Sequence, residues 1–520
     1  MKRRINVIEK SRTEYSAKNT TIAMIARVLS ILIGYATRVV FIHMLSREYV
    51  GINGLFMDIL NVLSLTELST ETATTYALYK PIAEGNIEKQ KTLMKIHQRF
   101  YHLMAGAVLG IGLLVIPFMD IIIKDQKGIE HLTIIYLMYL LNSVMSYLFI
   151  YKKTLIDAHQ LGYIGVLYYT FFLIVQYLVQ IIALLFTRNF ILYVGIMIVC
   201  LVLKNFFTSL KADRMFPYLK ERNVEELPKD EKQALYTNIR AMLMHKAGDV
   251  LVNNTDNLLL SSLVGLTSVS SYSNYFLIIG SVRQILNQMF QGITASVGNL
   301  GVQEGRERVR KIFEASFFAG QWVFGLVSIC LYELIDSVVA FSFGEQYIFT
   351  KDVTLLLCLN FYLMGMRQAI LVFRDSMGLF WYDRYKFVAE ACINLTASII
   401  LGRYMGTAGI FLGTTISTIT TSLWVEPYML YKHRLQTSAK PYFMRYALYA
   451  SVTFLLWAGV DLLCRCLAGG FWMVCFQRLI LCFVITNAVY LAIYCRTKEF
   501  KLLAGKARRI LQKYNKAFKF

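Results

Sequence analysis
Among the basic residues inside long apolar stretches of this sequence are Arg27, Arg38, Lys246, Arg283, Arg367 and Arg478. A charge near the middle of an apolar helix costs about 2.5–3.5 kcal/mol on insertion scales, so each must face water, a partner or a ligand. Arginine suits phosphate, because its planar fork donates two parallel hydrogen bonds and stays charged. Arg27 and Arg38 are eleven residues apart, three helical turns, and so share one helix face. Arg283 has Asn287 and Gln291 below it at i+4 and i+8. These three and Arg367 are the candidate anion-binding residues. Arg367 also lies near enough to the end of its apolar run to snorkel, and Arg478 is read as such an anchor.

A second set mixes signs. Lys246, Asp249, Asn253 and Asp256 recur at i, i+3, i+7 and i+10, within one narrow helix sector. Carboxylates facing lipid would lack partners, so the stripe must face protein or a wet cavity. There it can hold a coupling cation or proton; alternatively Lys246 and Asp249 form an ion pair that only glues helices. Asp256 has no basic residue in reach on its own helix. Glu67 and Glu71 stack at i, i+4 and can balance the arginines. A coupling ion, H+ or Na+, is the only small ligand these residues suggest. His97, His102 and His245 lack metal-ligand spacing, and no Gly-rich phosphate loop or nucleophile motif is present. Neither a cofactor, a metal nor an enzymatic activity is expected.

The elements that carry these residues must be membrane helices. The chain has 520 residues, 56% of them hydrophobic, with a mean hydropathy of +0.50. No soluble domain buries that much apolar surface. Spans of about 20 apolar residues fall near 20–44, 49–79, 96–119, 131–151, 161–187, 190–210, 239–264, 268–299, 312–343, 354–373, 384–402, 407–431, 446–464 and 472–495. Six prolines leave the helices largely unbroken, and nine scattered cysteines show no disulfide framework. A basic leader precedes a first apolar run too long for a secretory signal.

Part of the stretch Tyr49–Lys95 recurs 220 positions on: Phe56 meets Phe276, Val62 meets Val282, Thr74 meets Thr294, Glu84-Gly85 meets Glu304-Gly305 and Lys91 meets Lys311. The expected fold is therefore an all-α integral membrane protein of about fourteen transmembrane helices. A basic leader (1–19) precedes an N-lobe of six spans (20–212), a polar linker (213–238) and a C-lobe of six (239–433). Two added spans (434–495) and a basic amphipathic helix (496–520) follow. That last helix sets Leu503, Ala507, Ile510, Leu511, Tyr514 and Phe518 against Lys and Arg, which suits anionic headgroups rather than nucleic acid. With both termini cytoplasmic, the outer loops hold only seven of the 54 basic residues: Arg47, Lys124, Lys127, Arg188, Lys351, Arg403 and Arg465. The net charge of +21 is thus mostly topology, in a cell membrane. A repeat displaced by six spans keeps its orientation, which relates the lobes by an axis along the membrane normal.

Three motifs give the chain a family likeness. The stretch YVGINGLFMDILNVLSLTEL, closing on LYKPIAE, is the first; Phe373-Arg374-Asp375 through Tyr385-Lys386 is the second; Gly406-Thr-Ala-Gly409 through Gly413-Thr414, then Glu426-Pro427-Tyr428, is the third. They resemble the bacterial Wzx-type flippases of the multidrug/oligosaccharidyl-lipid/polysaccharide (MOP) exporter superfamily. Glu71 departs from that pattern, which has small residues after Glu67-Leu68. The resemblance implies two lobes that open alternately around a central cavity. A polyprenyl-diphosphate oligosaccharide would cross it for surface polysaccharide biosynthesis, its tail in lipid. It also implies other polysaccharide-assembly membrane proteins as partners. Gly406, Gly409 and Gly413 form a small-residue face for close helix packing.

Two other functions compete. A cation-coupled drug exporter of the same fold would want an acidic cavity, where this chain embeds arginines. A membrane glycan polymerase or glycosyltransferase needs a sizeable outer loop, and the longest here, around Asp120–Glu130 and Gly344–Val353, are about a dozen residues.

Overall fold
The computed structural model describes residues 25–63, 66–123, 129–159, 161–221, 255–291, 305–377 and 385–505, with a few isolated positions besides. Among them every regular element is helical. The chain divides into two compact units, Met1–Ser273 and Asn274–Phe520. In the first are α1 (Ile25–Met44), α2 (Arg47–Leu63), α3 (Thr66–Glu84), α4 (Ile87–Ile122), α5 (Leu132–Ile150), the short α6 (Lys153–Ala158), α7 (Gly162–Thr187) and α8 (Phe190–Met215). Then come α9 (Asp256–Leu259) and α10 (Leu266–Gln291), within which the division falls. The second unit continues with α11 (Arg306–Phe343), α12 (Lys351–Met366), α13 (Gln368–Ser376), α14 (Lys386–Met405), α15 (Thr407–Leu435), α16 (Lys440–Arg465), α17 (Phe471–Tyr494) and α18 (498–505).

Nine helices among the described residues are long and apolar enough to cross a bilayer: α1, α4, α7, α8, α11, α12 with α13, α15, α16 and α17. Four other expected spans coincide with helices that are shorter or more polar: α2 with α3, α5, α10 and α14. Most of the expected seventh span lies outside the described residues, as do 222–226 and a few other positions of the 213–238 linker. Two helices outrun their apolar cores. The chain was expected to enter the membrane at 96 and 312, but α4 starts at Ile87 and α11 at Arg306. Asn86 caps α4 by accepting the Lys89 amide at 2.9 Å, and Lys91 is held by Glu88 and Glu221, so polar turns extend the helix. Gly85 (φ +68°) ends α3 in the left-handed region that glycine tolerates.

The glycines of the motifs are packing devices. A Cβ on Gly51 would lie 2.6 Å from the Leu266 carbonyl oxygen, and one on Gly54 would lie 2.3 Å from the Ser273 hydroxyl. So α2 lies directly against the start of α10. Arg47 donates to the Thr267 carbonyl at 3.1 Å, and those two residues are 220 positions apart. The recurring stretch therefore meets its own copy, near the register of the repeat. Asn53 accepts from Tyr139, and Asn257 donates to Asp58 at 2.6 Å, so Asn53 and Asp58 of the first motif hold helices together.

In the second unit the same device joins α14 to α15. They turn on Gly406 (φ +59°), and a Cβ on Gly409 would lie 2.1 Å from the Leu401 carbonyl oxygen. A backbone atom cannot swing aside, so Gly409→Ala should cost about 1–3 kcal/mol through overpacking. Thermal unfolding of detergent-purified protein measures it. Gly106→Ala, with nothing within 4 Å of its Cβ, is the control. Equal midpoints for the two variants would contradict this packing.

Candidate functional site
In the second unit five charged side chains converge in the interior. Glu426 is fully buried on α15. Arg367, at the end of α12, grips it with two bonds, Nη2 to Oε1 at 2.8 Å and Nε to Oε2 at 3.2 Å. Lys386 of α14 donates to the same carboxylate, and Arg374 of α13 lies 3.6 Å away. Glu390, one turn after Lys386, reaches Lys386 at 3.4 Å and Arg367 at 3.5 Å. Three cations thus surround two carboxylates, all of them buried or nearly so. Glu426 rides on a deformed helix. Wide turns with i→i−5 bonds, at Thr418–Ser422 and Tyr431–Leu435, bracket it, and Pro427 beside it lacks an amide donor. The second and third sequence motifs meet here, since Arg374 and Lys386 belong to one and Glu426 to the other.

The first unit has its own polar line. Lys153 of α6 bridges Glu71 of α3 at 2.8 Å and Asp157 at 2.6 Å. Burial works against its charge, but the two carboxylates outweigh it and hold the ammonium above the usual lysine range. One ammonium does not neutralise two acids, and burial together with Glu71 raises the Asp157 carboxyl. Next to this triad His97 of α4 is buried, its ring nitrogens 3.0 Å from the hydroxyls of Thr74 and Thr154. Asp256 is buried at the head of α9, where the Tyr272 hydroxyl lies 3.5 Å from it.

The arginines of the sequence pattern separate into two kinds. Arg367 is spent on Glu426. Arg283 of α10 meets no carboxylate among the described residues: Nη1 lies 3.4 Å from the Met364 sulfur, and the guanidinium sits 5.9 Å from the centre of the Phe276 ring. Arg27 of α1 makes no ion pair among the described residues, and its buried Nε has no hydrogen-bond partner there. Three turns on, Arg38 lies over the Phe41 ring at 5.7 Å. Arg478, expected to reach water, instead donates to the Glu333 carbonyl at 3.2 Å and has a buried Nε, because α17 packs on α11 there. Glu71 faces Lys153 rather than an arginine. Lys246, Asp249 and Asn253 lie outside the described residues, as does the side chain of Glu67.

Sequence reasoning passed over Lys386, Glu390 and Glu426. Two acids inside expected spans were the available signal, at Glu390 in 384–402 and Glu426 in 407–431.

No family model matches this chain, and no curated protein matches it. Solved structures do. The lipid II flippase MurJ, in an inward closed conformation, matches with a TM-score of 0.65 and 13% identity, over 92% of this chain and all of that one. An inward-facing multidrug-resistance MATE transporter of the MOP superfamily matches with a TM-score of 0.56 and 13% identity, over 80% of this chain and 98% of that one. A MOP superfamily transporter from Pyrococcus furiosus, described as having a binding pocket of reverse polarity, matches with a TM-score of 0.52 and 10% identity, over 81% and 97%. The likeness is one of fold: this is an all-α integral membrane protein with the fold of the MOP transporters.

Proposed function
We propose that the chain is a Wzx-type flippase. On this reading it carries a lipid-linked, polyprenyl-diphosphate oligosaccharide from the cytoplasmic to the outer leaflet of the cell membrane, by alternating access, for surface polysaccharide biosynthesis. The observation that carries the reading is the pair Arg27 and Arg283, arginines on membrane helices with no carboxylate on either among the described residues. A diphosphate loses water on entering a low-dielectric path, and fixed guanidinium donors replace that water. A cationic drug would want the opposite charge. The match to a lipid flippase over 92% of the chain, against 80% for the MATE transporter, supports the same reading. Glu67, Glu71, Lys246, Asp249, Asn253 and Asp256 are then the groups for a coupling H+ or Na+. Both termini are cytoplasmic, and other polysaccharide-assembly membrane proteins are the partners.

Deleting the gene tests the cargo. A lipid-linked oligosaccharide should accumulate on the cytoplasmic leaflet while surface glycan disappears, as read by lipid extraction and mass spectrometry. Unchanged lipid-linked glycans, with reduced efflux of a cationic dye, would establish the drug-exporter alternative instead.

A further inference from the structure
The structure assigns a binding site for one anionic glycerophospholipid to the groove between α11 and α18. The deep part is an apolar cleft of about 400 Å³. Phe318, Trp322 and Val323 of α11 form one wall, and Phe500, Leu503 and Ala504 form the other. Phe500 stacks on the Trp322 ring at 5.8 Å, and the Trp322 indole donates to Asn487 at 2.9 Å, so the wall is held in place. A second cleft of about 500 Å³ lies at the start of α11, lined by Arg308, Lys311, Ile312 and Leu502 together with Glu307. Leu502 and Leu503 are successive residues of α18, so that helix contributes to both.

Lys311 and Trp322 are eleven residues apart and share one face of α11. Their separation along the axis is about 16 Å, close to one leaflet's hydrocarbon depth of about 15 Å. A headgroup at Lys311 therefore places an acyl chain along Trp322.

Charge selects the headgroup. Arg308 and Lys311 line the polar cleft and are exposed, and Arg306 of α11 and Lys498 and Lys501 of α18 are exposed on the same two helices. The nearby acids are engaged: Glu307 holds Lys311 at 2.7 Å, Glu314 holds Arg310 and Arg445, and Glu499 holds Arg445. From Arg496 to Phe520 the chain has nine basic residues and one acid. A zwitterionic lipid gains little from such a field, whereas each base near an anionic headgroup strengthens binding about fivefold. This site is independent of the cargo reading, because its residues include none of those proposed to meet the diphosphate.

The test is native mass spectrometry of the full chain, purified in detergent and supplied with equal phosphatidylglycerol and phosphatidylcholine. One phosphatidylglycerol should be retained, preferred roughly tenfold or more. Ala319→Trp fills the cleft without touching a charge and should release both lipids; Ala504→Trp, at an exposed position, does the same should the first variant fold poorly. Arg308→Gln with Lys311→Gln should keep a lipid but bring the preference close to one. Equal retention by the wild type and both tryptophan variants overturns the site. So does no preference in the wild type, or a polyprenyl phosphate retained in place of the phospholipid. Protein that retains neither lipid is also contrary, meaning that the chain's own tail or a second copy fills the groove.

Discussion

Glu426→Gln is expected to be among the most destabilising single substitutions in this chain, lowering stability by about 3–5 kcal/mol while barely changing side-chain volume. Glu426 is fully buried and accepts from Arg367 and Lys386, with Arg374 at 3.6 Å. Glutamine keeps the shape but removes the charge, leaving three cations and only Glu390 among them. Burial denies those cations the water that would rescue a surface pair. The effect should be specific to charge balance. Lys386→Met in the same background removes one surplus cation and should recover part of the loss, which a double-mutant cycle on thermal midpoints would read as coupling. An unchanged midpoint for Glu426→Gln would show that the cluster contributes nothing to stability. A full loss that Lys386→Met leaves untouched would point to packing rather than charge.

Why that cluster escaped a reading of the sequence is instructive. Spacing along one helix reveals Arg27 above Arg38, because three turns return to the same face. It does not reveal Arg367 on Glu426, 59 positions away, or Lys386 on Glu426, 40 positions away. Only the packing of α12, α13, α14 and α15 brings those charges together. Arg367 therefore looked like a ligand for substrate, although its fork grips a carboxylate. Helix positions were legible for a simpler reason: long apolar runs have few alternatives in lipid. Helix ends were not, because hydropathy ends where water begins while hydrogen bonding continues. Asn86 caps α4 ten residues before its apolar core, and Arg306 opens α11 six residues before its own. The Gly51, Gly54, Gly409 and Gly413 positions were visible in the motifs. Their tight partners, Leu266, Ser273, Leu401 and Ser398, were not.

Alanine at Arg27, Arg38 or Arg283 is expected to behave in the opposite way, sparing the fold and removing the activity. Arg283 leans on a sulfur and an aromatic face, which are weak partners for a guanidinium. Arg27 has a buried Nε with no partner among the described residues. Removing either breaks no ion pair among those residues, so protein levels in the membrane should hold. What is lost is a charge-assisted bond to the proposed diphosphate, worth about 1.5–3 kcal/mol each, or roughly tenfold to a hundredfold in transport. An inside-negative potential already favours outward movement of an anion, by about 2.3 kcal/mol per charge per 100 mV. The arginines are therefore needed to replace the water that the head loses, not to drive it. Lysine keeps the charge but loses the fork, so Arg→Lys variants should retain partial export. The measurement is surface glycan in a flippase-null strain at matched protein levels. Wild-type glycan from the Arg38→Ala/Arg283→Ala double variant would remove these cations from the mechanism. Loss of the protein itself would instead class them with Arg367, as structural charges.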